Sequence, residues 1–160
     1  MYKIGDQIVH PMHGAGIIEN VEQREIDGEK FEYFVFRMPS SGMSIMLPTD
    51  NCAAIGVRPV MPLEDARRLL YELSIVKSDM TINWSRRFRE NLVKIKSGDL
   101  LEIAVVIKGL MEREKQKALS SGERDMLRLA KQIIISELAL STNTNYADME
   151  TEVCKIMRGD

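Results

Sequence analysis

The feature that most constrains this chain is a change of hydrophobic period at Pro59-Val60-Met61-Pro62. Before it, apolar residues come in short runs broken by turn residues. After it they recur at helical spacing. Residues 3–10 read as a strand, and Pro11-Met12-His13-Gly14 turns the chain. Residues 15–26 form a second strand, with Ala15, Ile17 and Val21 on one face. Asp27-Gly28 follows, the strongest hairpin signal present, because a type I′ turn needs positive φ at both central residues. Residues 29–38, rich in Phe31, Tyr33, Phe34, Val35 and Phe36, give the third strand. Ser40-Ser41-Gly42 turns again, residues 43–47 give the fourth, Pro48 ends it, and residues 51–57 supply a last short strand. The gaps leave no room for helical crossovers, so parallel pairing is excluded. A small, strongly bent antiparallel sheet or barrel of Tudor/SH3 type is expected over residues 1–60.

Residues 61–160 predict an all-α bundle of about five helices, making the chain α+β in two domains. Leu63, Ala66, Leu69, Leu70 and Leu73 share one face of the first helix. Residues 78–82 read as a connector, after which Asn83 is a good N-cap and Phe88, Leu92 and Ile95 form an apolar stripe. Ser97-Gly98 stops that helix. Asp99 with Glu102, and Ser120 with Glu123, have capping-box spacing and open two more. The longer of these carries Met126, Leu127, Ala130, Ile133, Ile134 and Leu138, and a final acidic helix is expected over residues 145–157.

Composition restricts function. With 44% hydrophobic and 29% charged residues, the chain can bury a core and stay in solution. No apolar run approaches the ~20 residues of a membrane span, and the opening Met1-Tyr2-Lys3-Ile4-Gly5-Asp6 is not a signal peptide. Cys52 and Cys154 have no paired spacing, so free thiols in a reducing, cytoplasmic compartment are expected. His10 and His13, the only histidines, would need two further ligands to hold zinc, and only Cys52 lies in the same half. They read as part of a polar turn, with no metal and no cofactor. Gly14-Ala15-Gly16 precedes no helix, so it marks a bulge or a close backbone approach rather than a phosphate loop. No carboxylate pair or nucleophile–histidine arrangement assembles, which argues against an enzyme.

Charge is more informative locally than in total. The net charge is −2, too low for indiscriminate DNA coating. Residues 1–60 hold five Lys/Arg against eight Asp/Glu, whereas residues 86–96 hold five Lys/Arg against Glu90 alone. Arg86, Arg87 and Arg89 crowd the first turns of a helix that begins at Trp84, the only tryptophan. Cations there oppose the helix dipole by roughly 0.3–1 kcal/mol each. An external anion, nucleic-acid phosphate first, would compensate. Against this, Trp84 lies about 50° from the Phe88/Leu92/Ile95 stripe at ~100° per residue, close enough to be core. Arg86 with Glu90 is also an ordinary i,i+4 pair. Spacing alone leaves both readings open.

A wider pattern favours the first. Gly5-Asp6-Gln7-Ile8-Val9-His10-Pro11-Met12-His13-Gly14 resembles the opening of the CarD/CdnL family of bacterial transcription regulators. Asn83-Trp84-Ser85-Arg86-Arg87-Phe88 resembles that family's most distinctive motif. Leu119-Ser120-Ser121-Gly122-Glu123-Arg124 and Ile135-Ser136-Glu137-Leu138-Ala139-Leu140 are similar to its later helices. The resemblance implies a Tudor-like domain that docks on the RNA polymerase β subunit, and a helical domain that touches promoter DNA at the upstream edge of the melted bubble. It makes Trp84 a minor-groove wedge. Arg86 and Arg89 fall where the family has phosphate contacts, Arg124 falls near another, and Arg87 completes the basic DNA-binding set. Arg24 matches a polymerase-facing basic residue. Met46, just before Pro48 on the same polymerase-facing strand, stands where relatives can carry a second arginine, so a weaker or more apolar contact is expected there. The implied protein is a monomer, held at the nucleoid through polymerase, with no membrane contact. Two other readings compete: a KOW-like RNA- or ribosome-associated module, and a protein adaptor with Trp84 in its core.

Overall fold

A long hairpin dominates the N-terminal part of the computed structural model, which describes residues 1–78 and 81–159. Strand β2 (Gly14–Ile26) and strand β3 (Glu29–Arg37) pair antiparallel across Asp27-Gly28, whose φ values of 50° and 83° are those of the type I′ turn. With β1 (Gln7–His10), β4 (Ser44–Pro48) and β5 (Arg58–Pro59) they form a five-stranded antiparallel sheet in the order β4-β3-β2-β1-β5. The register shifts between Ile18 and Asn20, where a bulge bends the sheet. Its concave core contains Ile8, Ile18, Phe34, Phe36, Met38, Leu47, Cys52 and Val57.

Several details differ from expectation. Strand β1 begins at Gln7 rather than at residue 3. Ile17 and Val21 do not share a face, because the bulge between them puts Val21 beside Phe34 on the core side and leaves Ile17 beside Arg37. Residues 51–57 are not a strand. They form one helical turn, α1 (Cys52–Ile55), closed by Gly56 at φ 101°, whose N–H donates to the Cys52 and Ala53 carbonyls. A left-handed glycine ends a helix readily, and two alanines before it favour the turn. The fifth strand is only Arg58–Pro59, paired to β1. Gly14 and Gly16 are close-approach positions, as expected, with the bulge itself further along. A Cβ on Gly14 would collide with Ser136 Oγ, and one on Gly16 would collide with the Arg37 carbonyl.

The helical part comprises α2 (Leu63–Ile75), α3 (Trp84–Lys96), α4 (Leu100–Gln116), α5 (Ser121–Thr142) and α6 (Tyr146–Arg158). Asp79 and Met80 of the expected connector lie outside the described residues. Ala66, Leu69, Leu73, Ile103, Ile107, Leu110, Ile134, Leu138 and Val153 belong to the second core. Leu63, expected on the buried face of α2, is exposed in its first turn.

Helix α5 joins the two cores. Residues 133–139 are buried on every side, because the bundle covers one flank and the β1–β2 turn the other. Ser136 Oγ accepts from the Ala15 N–H at 2.8 Å, and Gln132 Nε2 donates to the His13 carbonyl at 2.7 Å. Glu137, fully buried, accepts two bonds from Arg58 at 2.6 and 2.7 Å and one from the Met61 N–H at 2.8 Å. A buried carboxylate with three donors is stable where an unpaired one would not be.

Candidate nucleic-acid interface

Helix α3 begins as its sequence predicts. Asn83 is extended, and its side chain accepts from the Arg86 N–H at 3.0 Å. No acidic residue occupies the first turn. The expected stripe packs on the bundle core, with Ile95 inside it and Phe88 and Leu92 against it, but the most buried line is turned toward Arg87 and Asn91. Arg87, Asn91 and Ile95 are buried, with Phe88 and Leu92 flanking them. At ~100° per residue, Trp84 lies within about 20° of the centre of that face. It is nevertheless 45% exposed, so it combines the angle of a core residue with the access of a surface one.

What holds it there is specific. The indole stacks on Phe88, ring centroids 5.2 Å apart and planes inclined 20°. Its Nε1–H donates to Ser120 Oγ at 3.1 Å. Ser120 is the N-cap of α5 and also accepts from the Glu123 N–H at 3.2 Å. Gly122 lies behind Phe88, where an added Cβ would approach the ring to 3.3 Å.

Arg87 corrects the sequence-based set. Expected on phosphate with its neighbours, it is 1% exposed and donates from Nε and Nη2 to Glu123 at 2.8 and 3.0 Å. Nη1 donates to the carbonyls of Ile82 at 2.7 Å and Thr81 at 3.2 Å. One guanidinium thus ties the segment preceding α3 to the first turn of α5. Planar, five-donor geometry suits that role, which lysine could not fill. The Ser120–Glu123 box is half-formed for the same reason: the hydroxyl caps, but the carboxylate turns inward to Arg87.

Arg86, Arg89 and Arg124 are exposed. Arg86 Nε contacts Glu90 at 3.0 Å, and Thr81 Oγ1 donates to the other oxygen of that carboxylate at 2.9 Å. The Thr81 bond first, then Arg86 and Lys94, hold the Glu90 carboxyl below its ordinary range. Arg124 stands on the first turn of α5, the turn that Ser120 caps. It shares a groove with Arg128, Lys131 and Tyr146, which Glu114 and Glu150 also line.

The polymerase-facing candidates share the outer face of the sheet. Register pairs Arg24 with Phe31, Met46 with Val35 and Pro48 with Tyr33, all opposite the Phe34/Phe36/Leu47 core. Arg24 Nη2 lies 3.7 Å from Met46 Sδ and 3.2 Å from Glu22. With Phe31 and Met46 both exposed, the patch is a Glu22-paired guanidinium flanked by apolar groups.

The histidines pack on each other at 4.5 Å in the β1–β2 turn. His10 Nδ1 accepts from the Met12 N–H, so one of its nitrogens is already engaged. Both cysteines are free. Among the described residues no group of three or more His, Cys, Asp or Glu could hold a metal ion, and no helix is long and apolar enough to cross a membrane.

Sequence reasoning missed Ser120 as the partner of Trp84, the Arg87–Glu123 pair, and Glu137 with Arg58. The first two left a signal, since Ser120 and Glu123 were both identified at the start of α5. Nothing in the spacing tells which carboxylate turns inward.

Comparison with known proteins places the chain in a family. Residues 2–61 match the CarD-like/TRCF RID domain, and residues 68–154 match the CarD C-terminal domain. A Bacillus subtilis protein, YdeB, named as a candidate transcription factor, is 41% identical over 138 residues, covering 86% of this chain and 90% of its own. The solution structure of the N-terminal domain of Myxococcus xanthus CarD is 29% identical, covers 37% of this chain and 79% of its own, and superposes with a TM-score of 0.32. Two family domains in the family's order, over a sheet and a bundle that meet on α5, make the chain a member of the CarD family of transcription regulators.

Proposed function

We propose that this protein binds the RNA polymerase β subunit through the outer face of its sheet and stabilises the promoter open complex. Trp84 enters the minor groove at the upstream edge of the bubble, and Arg86, Arg89 and Arg124 contact backbone phosphates. The observation that carries this reading is the half-exposed indole on the first turn of α3, a turn that holds no acid, with exposed Arg86 and Arg89 beside it and only the exposed Glu90 paired to Arg86. An apolar wedge flanked by cations is how side chains unstack a base step, and a flat ring adds stacking on an exposed base. Arg87 is left out of the contact set because Glu123 holds it inside.

Arg86 must exchange Glu90 for phosphate. Both partners of that pair are exposed, and such pairs contribute only about 0–1 kcal/mol, so the exchange is cheap. Three phosphate contacts give a salt slope of about −2.7, at ~0.9 each, too weak for free DNA at physiological salt. Docking on polymerase raises the effective concentration and makes the contact count. The wedge shifts the equilibrium only through its preference for the unstacked, open state.

The test is the lifetime of a heparin-challenged open complex with purified polymerase, without the protein, with it, and with Trp84→Ala. The protein should lengthen the lifetime. The variant should lose roughly five- to hundredfold of that gain, the scale of ~1–3 kcal/mol per stacked base. An unchanged lifetime with the intact protein would refute the mechanism.

A further inference from the structure

We infer that Ser120 is a positioning residue for Trp84, so that the wedge on α3 and the N-cap of α5 form one preassembled unit. The inference rests on the DNA-contact reading above and names what orients its central side chain. Three contacts join the first turns of α3 and α5: the Trp84 indole N–H on Ser120 Oγ, the Phe88 ring against Gly122, and the buried Arg87–Glu123 pair. Two of these are interior contacts that hold the helices together whatever the indole does. The third involves a half-exposed side chain that would otherwise be free to change rotamer.

An exposed tryptophan on a helix end has no need of a fixed orientation for stability. Here its one donor and one of its faces are both occupied. The donor is on Ser120 and the face is stacked on Phe88. What remains outward is the face turned away from Phe88 and the edge turned away from Ser120. Holding a binding side chain in its bound rotamer lowers the ordering cost at the moment of contact. A hydroxyl suits the position because it has two acceptor lone pairs, and Ser120 uses them on two donors, the indole and the Glu123 N–H. The wedge is therefore coupled to the capping of α5, whose first turn also presents Arg124.

The experiment uses the full chain as wild type, Ser120→Ala, Ser120→Thr, Trp84→Phe, and Trp84→Phe with Ser120→Ala. Trp84→Phe keeps an aromatic ring but has no N–H donor. Because Trp84 is the only tryptophan, iodide quenching and fluorescence anisotropy of the free protein report its mobility directly. Open-complex lifetimes are measured in parallel, and circular dichroism checks folding. Ser120→Ala should raise quenching, lower anisotropy and shorten the lifetime roughly two- to tenfold, the scale of one neutral hydrogen bond. Ser120→Thr should restore all three, and Ser120→Ala should do little more in the Trp84→Phe background. Equal lifetime loss in both backgrounds would make Ser120 a helix cap only and overturn the inference. Unchanged indole mobility in Ser120→Ala would overturn it as well. If the intact protein leaves the lifetime unaltered, the DNA reading fails, and the free-protein fluorescence still decides whether Ser120 holds the indole.

Discussion

Arg87 shows how far one side chain can carry a fold and how easily its role is misread. Its charge is sealed with Glu123 at the junction of α3 and α5. Removing one partner of a buried pair leaves the other uncompensated, so Arg87→Ala should cost about 3–5 kcal/mol. That is a large share of the roughly 5–15 kcal/mol that stabilises a domain. Urea unfolding should show it as a fall in the midpoint. Arg87→Met with Glu123→Leu together should cost less than the sum of the single changes, because no orphaned charge remains. Arg86→Ala and Arg89→Ala, by contrast, should leave the midpoint within about 0.5 kcal/mol, as exposed substitutions do, while shortening the open complex. Loss of activity in an Arg87 variant would therefore say nothing of DNA contact.

At the scale of elements, α5 is the part on which the others depend. Its N-cap Ser120 accepts from the Trp84 indole at one end, and it receives the β1–β2 turn and Arg58 further along. Glu137→Gln keeps the shape of the side chain but removes the charge that holds Arg58 and the Met61 N–H. A cost of about 1.5–3 kcal/mol is expected, the range for hydrogen bonds to charged groups. Protease sensitivity should rise at Val60–Met61, which limited digestion would detect. An unaltered digestion rate would mean that Ser136 and Gln132 hold the joint without it. The helix was legible as an apolar period with Ser120 at its start. Its all-round burial over residues 133–139 was not, because the second flank is covered by strands more than a hundred residues away in the chain.

For the whole molecule, the joint between sheet and bundle should respond to acid. Burial lowers the His10 and His13 imidazoles below the ordinary 6.5, and repulsion from His13 lowers His10 further. The fold therefore prefers neutral rings. As pH falls through 6.5 the unfolded chain binds protons first, so stability declines from there until the lower folded pKa values are passed. The melting temperature should be lower near pH 5.5 than near pH 7.5, and His13→Gln should flatten that slope. A melting temperature independent of pH across this window would show that the histidine turn does not control the joint.

The sequence by itself determined the local structure: the Asp27-Gly28 hairpin, the Asn83, Asp99 and Ser120 caps, and the switch from period 2 to period 3.6 at Pro59–Pro62. These depend on neighbours within a few residues, where propensity and sterics decide. It also placed Trp84 and three arginines on the first turns of one helix and left open whether they face solvent or the core. Only the tertiary structure decided which arginine of the run turns inward, because Arg87 finds its carboxylate 36 residues away on another helix. The same holds for the burial of Asn91 beside it on α3, for α1 in place of a strand, and for the hydroxyl that holds the indole. Each was fixed by a partner distant in sequence, and a buried charge or a half-buried ring goes wherever that partner can satisfy it.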